Sequence, residues 1–449
     1  MNSERKYFGT DGVRGRVGQF PITPDFAMKL GWAVGKALAH QGAKVIIGKD
    51  TRLSGYMFES ALEAGLTAAG MDVYLLGPIP TPAVAYLTRT LLADLGVMIS
   101  ASHNPHYDNG IKFFSKAGAK LSDQTEIKVE QYLEQELKVV APEKIGKVWR
   151  VDDGPGRYIE FCKASLPPFQ QLNQLKVVLD CANGATYHVA PNVLRELGAK
   201  VITLFDHPDG ININKYCGST QPEALAQAVV KHKAHVGVAF DGDGDRVIMV
   251  DSEGAIINGD QILYLIAKEA AKTGKLNGGG VIGTLMTNLG FELALKREGI
   301  KFARAKVGDR YVMEMLKEKN WHLGGESSGH IIWLNSTTTG DGIVAALQVL
   351  ALLQNTGLSL QDLLKDLTLF PQVMVNVELE QALSERQWRQ VCQEVAAIEQ
   401  ELRNRGRILV RPSGTEPLIR VMVEGEDEFE VKTRAEYLGQ FIKDLLAQG

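Results

Sequence analysis

The sequence has 449 residues, of which 45% are hydrophobic and 23% charged, and its formal net charge is −4. This balance is typical of a globular enzyme or binding protein. It offers neither a broad basic surface nor a polybasic anchor, so we expect no nucleic-acid and no membrane partner. The length exceeds one ordinary hydrophobic core and favours about three domains, with two or four also compatible.

The N-terminus, the apolar runs and the cysteines indicate the location and the redox state of the protein. Residues 1–6 are polar and lack the apolar core of a secretory signal, and the longest apolar stretch, 343–353, is too short to span a bilayer. The four cysteines show no Cys-x-x-Cys spacing, so neither a zinc ribbon nor a disulfide framework is predicted. We therefore expect a cytoplasmic protein with reduced thiols, and a homo-oligomer is compatible with the sequence.

A strand–helix–strand pattern occurs three times along the chain. In each copy an apolar run is followed by a polar turn, a segment with helical periodicity, a glycine and a second apolar run. The predicted strands are 44–48 and 73–76, 175–180 and 201–204, and 280–283 with a partner from 302 onward; the helices are 58–69, 189–197 and 291–297. Such βαβ units predict parallel strands with right-handed crossovers.

Each unit continues into a third apolar run that ends in a polar loop. The three loops begin at Ser100, Asp241 and Gly325. Because ligand sites of open α/β sheets form beyond the carboxyl ends of strands, we expect the three loops to face one cleft.

The remaining chain predicts linkers and a different tail. Residues 140–156 and 251–259 have the composition of linkers, and the tail predicts a strand (372–378), a helix (385–402), a strand pair (408–423) and a closing helix (429–446). The predicted fold class is α/β: three related βαβ domains with mixed sheets and a smaller C-terminal α+β domain around a central cleft. The predicted domains are 1–152, 153–254, 255–368 and 369–449.

The strongest chemical motif is Asp241-Gly-Asp-Gly-Asp-Arg246. Carboxylates at alternate positions share one side of an extended backbone, and the glycines let that backbone wrap around a hard cation such as Mg²⁺. A solvated acidic turn is the alternative, but three crowded like charges repel unless a cation lies between them. An EF-hand is excluded, because Arg246 and Ser252 replace the required Gly and Glu and the flanking segments predict strands.

The motif Ser100-Ala-Ser-His-Asn-Pro places Ser102 beside His103, with Lys112 nearby. A lone serine before proline is more often a turn residue whose hydroxyl bonds its own backbone. Here the imidazole, the lysine and the aspartate loop of the next unit favour a hydroxyl that accepts and returns a phosphoryl group.

Two further loops predict ligand contacts. Glu326-Ser-Ser-Gly-His330 gathers a carboxylate, hydroxyls and an imidazole, which suits a sugar. Residues 325–329 also match the Gly-x-Ser-x-Gly elbow of serine hydrolases, although a strand is predicted next where the elbow needs a helix. This match defines an alternative, an esterase with Ser327 as the nucleophile.

The tail motif from Arg411 to Arg420 joins two predicted strands. Ser413, Gly414 and Thr415 can present backbone N–H groups and hydroxyls, and the flanking arginines favour a phosphate nest over a plain hairpin. No nucleotide cofactor is predicted, because residues 42–49 miss the P-loop spacing and no Gly-x-Gly-x-x-Gly follows a strand.

Together with Phe8-Gly-Thr-Asp-Gly-Val-Arg-Gly15, these loops closely resemble the α-D-phosphohexomutase family over essentially the whole chain. The resemblance implies four domains, a phosphorylated Ser102, and one Mg²⁺ held by Asp241, Asp243, Asp245 and a phosphoserine oxygen. By motif position it implies that the phosphoryl group is surrounded by Arg14, His103, Lys112 and Arg246. It implies sugar contacts from Lys306, Glu326, Ser328 and His330. The phosphate that is not transferred would be held by Arg411, Ser413, Gly414, Thr415 and Arg420.

The activity implied by this resemblance is intramolecular phosphotransfer on a phosphosugar, through a 1,6-bisphosphate. We expect glucosamine 6-phosphate and glucosamine 1-phosphate as the pair, in the supply of cell-envelope precursors, with mannose or glucose phosphates as the alternative. Lys112 and His330 are both candidates for the general base. A non-catalytic sugar-phosphate binder is the alternative from another class.

Overall fold

The computed structural model describes residues 5–38, 40, 42–379, 383–402, 405–412 and 418–447. Within these ranges the strands form four sheets that follow one another along the chain. The first three combine parallel and antiparallel strands with helices, and the last is a small antiparallel sheet with two helices. The predicted fold class is confirmed, whereas the exact domain boundaries stay predictions.

The first sheet contains the Ser102 motif. Its strands are β1 (Val13–Arg16), β2 (Lys44–Lys49), β3 (Asp72–Pro78), β4 (Leu95–Ile99), β5 (Asp108–Ser115) and β6 (Val148–Arg150), and its helices are α1 (Pro24–Leu38), α2 (Leu53–Ala68), α3 (Thr81–Thr90) and α4 (Asp123–Leu133). The order is β1-β5-β4-β2-β3-β6, with β3 and β4 parallel to β2. The predicted linker 140–156 is therefore partly wrong, since β6 pairs with β3 there.

The second sheet contains the aspartate motif. It follows helix α5 (Gly154–Ala164) and comprises β7 (Lys176–Asp180), α6 (Val189–Glu196), β8 (Lys200–Leu204), α7 (Glu223–His232), β9 (Val236–Phe240), β10 (Val247–Val250) and β11 (Ile256–Ile257). Its order is β11-β10-β9-β7-β8, with β7 parallel to both β8 and β9. The predicted linker 251–259 is also partly wrong, because β11 pairs with β10.

The third sheet contains the Glu326 motif. Its elements are α8 (Gly259–Lys272), β12 (Gly280–Thr284), α9 (Leu289–Arg297), β13 (Lys301–Ala305), α10 (Asp309–Lys319), β14 (Leu323–Gly325), β15 (Ile331–Trp333), α11 (Gly342–Thr356) and α12 (Leu360–Leu364). The order is β13-β12-β14-β15, and only β15 runs antiparallel to its neighbour in the described sheet. All three βαβ units are thus present as predicted.

The tail consists of β16 (Gln372–Glu378), α13 (Glu385–Leu402), β17 (Gly406–Pro412), β18 (Leu418–Gly425) and α14 (Glu428–Ala447), with the sheet order β16-β18-β17. It docks on the loop after β12. Arg407 donates from Nη1 to the Leu285 carbonyl and from Nη2 to the Thr287 carbonyl, both at 2.7 Å. The buried Glu424 accepts from the Leu289 N–H at 2.7 Å and from Arg407 Nε at 2.6 Å.

One hydrophobic core joins the first three units. It contains Leu87 of α3, Val238 of β9 and Leu347 of α11. Each of the three units also has a separate hydrophobic cluster of its own. None of the helices in the described ranges combines the length and the hydropathy needed to cross a bilayer. The cysteines are free thiols, as predicted, and Cys392 alone among them is exposed.

Candidate active site

The three predicted loops meet at one cleft. The loops after β4 and β9 touch where Ser102 Oγ donates to Asp241 Oδ2 at 2.5 Å. The loop after β14 joins them through a backbone bridge between Arg246 and His330. The expectation of a shared cleft is therefore confirmed, and it follows from parallel strands that end at the same edge of each sheet.

Ser102 is buried and adopts an unusual backbone conformation. Its φ is 52°, in the left-handed region that few non-glycine residues occupy. Its N–H donates to Ser100 Oγ at 2.9 Å, and its Oγ lies 3.3 Å from His103 Nδ1. The turn thus presents the serine hydroxyl to the aspartate loop instead of bonding it to its own backbone.

The aspartate loop connects the antiparallel strands β9 and β10. Asp241, Asp243 and Asp245 are all buried, and each offers a carboxylate oxygen within 4.8 Å of those of the other two. Gly242 permits this approach, because a Cβ there would lie 2.6 Å from the Ser102 carbonyl oxygen. The flanking strands confirm that the loop is not an EF-hand.

The charge balance of this loop suits a divalent cation. Burial and the neighbouring Asp245 and Asp243 raise the pKa of the Asp241 carboxyl well above its usual range. Asp243 Oδ1 and Asp245 Oδ1 are buried without a hydrogen-bond partner. Buried carboxylate oxygens that lack donors are costly in a protein interior, and a hard cation satisfies them. The three carboxylates therefore fit a metal such as Mg²⁺.

Lys112 on β5 occupies the other side of the aspartates. Its Nζ lies 2.7 Å from Asp243 Oδ2, 3.4 Å from Asp245 Oδ2 and 3.1 Å from Asp11 Oδ2. Burial lowers the pKa of the Lys112 ammonium, but Asp11, Asp243 and Asp245 outweigh it and raise that pKa above the usual range. Lys112 is therefore held as a cation beside the aspartate loop, which also accepts the hydrogen bond of the Ser102 hydroxyl.

The two histidines have opposite electrostatic environments. Burial, with Arg246 and Arg14 nearby, lowers the pKa of His103 to about 4. Burial also disfavours the charge of His330, but Asp245 and Asp309 raise its pKa to about 9. Near neutral pH His103 is thus a neutral imidazole next to Ser102, whereas His330 is a cation. The acidic neighbours of Lys112 and His330 thus favour the protonated form of both side chains, and a protonated side chain cannot act as a general base.

A polar cavity of about 320 Å³ opens next to these groups. Residues from all three α/β units line it, in particular Asp11, Arg14, Asp245, Arg246, Gly308, Asp309, Glu326 and His330. Glu326 Oε1 accepts from the Gly308 N–H at 2.9 Å, which holds the carboxylate at the cavity wall. Its size and its mixture of charges suit a small, highly polar ligand.

Several predicted residues lie outside this cavity. Lys306 is exposed, with its Nζ 5.6 Å from the centre of the Tyr311 ring, and Ser328 is exposed at the tip of the turn between β14 and β15. Arg411 and Arg420 are direct partners across β17 and β18. Ser413, Gly414 and Thr415 lie outside the described residues. The structure thus brings together the Ser102, Asp241 and His330 groups, and of the tail residues that it describes, Arg411 and Arg420 do not line their cavity.

The alternative interpretation of residues 325–329 as a serine-hydrolase elbow is wrong. Residues 325–329 connect β14 to the antiparallel strand β15 and not to a helix. The Ser327 carbonyl accepts from the Gly259 N–H at 2.9 Å, which ties the turn to the start of α8. Ser327 is therefore not held at a strand-to-helix turn of the kind that presents a hydrolase nucleophile.

Four residues that the motifs did not single out contact the site. Thr81 Oγ1 donates to Asp243 Oδ2 at 2.5 Å, and Asp11 forms ion pairs with Arg14, Lys112 and Lys120. Lys120 Nζ also lies 2.6 Å from Asp309 Oδ2, which links the first unit to the third. Asp11 carried a signal, a charged residue between glycines three positions before Arg14; Thr81, Lys120 and Asp309 stand in no motif.

Comparison with known proteins agrees with this geometry. Four models of the phosphoglucomutase/phosphomannomutase family match in order: α/β/α domain I at residues 5–139, domain II at 156–254, domain III at 258–370 and the C-terminal domain at 374–438. A phosphoglucosamine mutase of Aeromonas hydrophila is 61% identical over 440 residues, which cover 98% of this chain and 99% of the relative.

Two solved structures share the fold. A phosphoglucomutase/phosphomannomutase family protein from Burkholderia thailandensis has a TM-score of 0.80 at 24% identity, with 98% of each chain covered. The N-acetylphosphoglucosamine mutase of Aspergillus fumigatus, in complex with GlcNAc-6P and magnesium, has a TM-score of 0.67 at 17% identity, with 99% of this chain and 96% of that one covered. The chain therefore belongs to the α-D-phosphohexomutase family of isomerases that transfer phosphate intramolecularly.

Proposed function

We propose that this chain interconverts glucosamine 6-phosphate and glucosamine 1-phosphate in the cytoplasm, through a phosphorylated Ser102 and a 1,6-bisphosphate. The observation that carries the proposal is the 2.5 Å contact of Ser102 Oγ with Asp241, at the edge of a cavity lined by Arg14 and Arg246. The high identity to the Aeromonas phosphoglucosamine mutase supports the sugar.

The reaction consists of two phosphoryl transfers. In the first, the bond between phosphorus and Ser102 Oγ breaks, a new bond forms to the sugar O1, and the proton of that hydroxyl passes to Ser102 Oγ by way of a general base. In the second, the bond between phosphorus and O6 of the turned bisphosphate breaks, the bond to Ser102 Oγ forms again, and the proton of the serine hydroxyl passes to O6. Such transfers depend on positioning and on neutralising charge, and Arg14, Lys112 and Arg246 supply cations for this.

Asp241, Asp243, Asp245 and a phosphoserine oxygen would hold Mg²⁺. When bound, the ion neutralises charge on the phosphoryl oxygens. Neutralisation of Asp245 would also remove the largest cause of the raised pKa of His330, and neutralisation of Asp243 and Asp245 would remove two of the causes of the raised pKa of Lys112, of which Asp11 is the largest. Either residue then becomes a better proton acceptor for the sugar hydroxyl.

The remaining roles concern substrate binding. Glu326 and His330 line the cavity and would contact the sugar, together with Ser328 and Lys306 once the cleft holds its ligand. Arg411 and Arg420 stand directly opposite each other across β17 and β18. With Ser413, Gly414 and Thr415 they would bind the phosphate that is not transferred.

The decisive variant is Ser102→Ala. Because it removes the phosphoryl acceptor, turnover of glucosamine 6-phosphate should fall by at least about 10³-fold, and intact-mass analysis should lose the phosphate adduct that a fraction of the native protein carries. Ser327→Ala is the matched control and should retain both. Normal turnover by Ser102→Ala would contradict the mechanism.

A side-by-side assay tests the sugar. Native protein should convert glucosamine 6-phosphate faster than glucose or mannose 6-phosphate, and chelation of divalent metal should stop all three reactions. Preference for glucose or mannose would leave the mechanism intact but assign the phosphoglucomutase or phosphomannomutase activity instead.

A further inference from the structure

The turn that carries Ser102 is held by two buried side chains that no motif marked. Arg52, at the start of α2, donates from Nη2 to the carbonyl oxygens of Ser102, at 3.2 Å, and of Asn104. Asn214, in the second unit between β8 and α7, donates from Nδ2 to the same two oxygens at 2.9 and 3.0 Å. Two donors, one from the first unit and one from the second, therefore bridge one pair of carbonyl groups.

Both donors are themselves fixed. Arg52 is fully buried, and its charge is balanced by the equally buried Asp50, which also accepts from the Arg52 N–H at 2.9 Å. Asn214 has a φ of 56° and its N–H donates to the Ala182 carbonyl at 2.9 Å. Because Arg52 is anchored through its side chain and Asn214 through its backbone, each imposes a position on the carbonyl groups that it bonds.

The consequence falls on the conformation of Ser102. A left-handed serine persists only where its surroundings over-determine it. Its peptide carbonyl accepts from Arg52 and Asn214, while its side-chain hydroxyl donates to Asp241. Release of the carbonyl would let the residue return to an extended or right-handed conformation and would move Oγ away from the aspartates.

We propose that Arg52 and Asn214 are positioning residues for phosphoryl transfer: by bridging the Ser102 and Asn104 carbonyls they hold the Ser102 hydroxyl against the aspartate loop. The proposal rests on the proposed function only in taking Ser102 as the phosphoryl acceptor. It does not depend on which hexose is the substrate.

The test uses Asn214→Asp, which keeps the size of the side chain and tolerates the left-handed conformation but replaces the donor by an acceptor. Asn212→Asp makes the same change in the same loop and serves as the control, because the described bonds of the Asn212 side chain are to the Asp209 N–H and the His207 carbonyl of that loop. Full-length dephosphorylated proteins are mixed with α-D-glucose 1,6-bisphosphate, and phosphate uptake is followed by intact mass. In this half-reaction a phosphorus–oxygen bond of the bisphosphate breaks, the bond to Ser102 Oγ forms, and the hydroxyl proton passes to the leaving sugar oxygen.

We expect Asn214→Asp to reduce the maximal rate of phosphate uptake by about 10²-fold, the effect of a displacement of about 1 Å at a reacting group, with an unchanged half-saturating bisphosphate concentration. Asn212→Asp should match the native protein. A merely structural role would instead lower the thermal unfolding temperature and spare the rate of the folded fraction. Arg52→Lys, which keeps the charge beside Asp50 but cannot span both carbonyls, should repeat the rate effect if Asn214→Asp does not fold.

Native uptake rates in folded Asn214→Asp or Arg52→Lys would overturn the proposal, as would a loss confined to bisphosphate affinity. If native protein takes up phosphate but does not convert glucosamine 6-phosphate, the proposed sugar is wrong and the variants still decide the positioning role. If native protein takes up no phosphate at Ser102, both proposals fall.

Discussion

Two buried clusters of charged side chains in this protein differ in how their carboxylates are hydrogen-bonded. At the junction of the tail with the third unit, Glu424 is fully buried, and each of its oxygens accepts a hydrogen bond, from the Leu289 N–H and from Arg407. At the cleft, Asp243 and Asp245 each keep a buried oxygen without a donor, and like charges surround Asp241. A fully bonded carboxylate supports the architecture, whereas crowded carboxylates that lack donors mark the place where a ligand completes the structure.

The largest effect that separates the clusters should come from Asp241→Asn. Activity should fall by about 10³-fold or more, because one metal ligand is lost. The metal-free variant should nevertheless unfold at a higher temperature than native protein, since burial beside Asp245 and Asp243 raises the pKa of the Asp241 carboxyl well above its usual range, and an amide at this position removes that electrostatic cost of folding. Thermal unfolding with chelator and with Mg²⁺ measures both states, and the Mg²⁺-induced increase should disappear in the variant.

Asp251→Asn is the control for that experiment. Asp251 is a buried aspartate of the same unit whose Oδ1 accepts from the Glu253 and Ala255 N–H groups, away from the cleft. It should lose some stability and keep its response to Mg²⁺. The contrast between the two clusters fails if Asp241→Asn is less stable than native protein without metal and still responds to Mg²⁺.

A smaller effect, of the opposite sign, is expected for Arg407→Ala. Removal of one partner leaves Glu424 buried and uncompensated, so the free energy of unfolding of the tail should fall by about 3 kcal/mol, with the Mg²⁺ response retained. Urea unfolding measures the change. Arg434→Ala, which breaks a half-exposed pair with Glu401, should cost well under about 1 kcal/mol. Equal losses for the two variants would show that burial does not distinguish them.

The smallest effect concerns Asp180, which has backbone donors but no cation among its partners in the described part of the chain. It accepts from the Ala182 and Gly218 N–H groups, both at 2.8 Å, and burial raises its pKa to about 7. Folded protein therefore binds more protons than unfolded protein between the usual value of 3.8 and about 7, and this contribution to stability declines as pH rises through that window. Asp180→Asn should show a shallower decline between about pH 5 and about pH 7 in urea unfolding. An unchanged slope would contradict the assignment.

Much of the fold could be predicted because the apolar runs of β2, β4, β7 and β9 are almost wholly buried and alternate with helical periodicity. The two wrong linker predictions concern short strands whose sequences show no pattern of buried apolar residues. All three residues of β6, Val148, Trp149 and Arg150, are exposed, and β11 has only two residues. Both strands therefore fall within segments that the sequence predicts as linkers.

The site followed the same rule. Ser102, the aspartates and His330 stand in dense polar motifs at strand ends and could be recognised there. Arg52 and Asn214 could not, because an arginine and an asparagine in loops are ordinary in sequence, and only the fold shows that both side chains converge on one pair of carbonyl groups. Lys120 and Asp309 likewise meet across two units that are distant in the chain.

The hydrogen bonds from Asn214 to the Ser102 turn limit what a fragment of the protein can retain. A fragment limited to the first sheet would retain Arg52 and the serine but would lose both the Asn214 donor and the Asp241 acceptor. Reactivity of this hydroxyl is therefore a property of two modules folded against each other, and an isolated N-terminal module would display an inert serine in an otherwise familiar sheet.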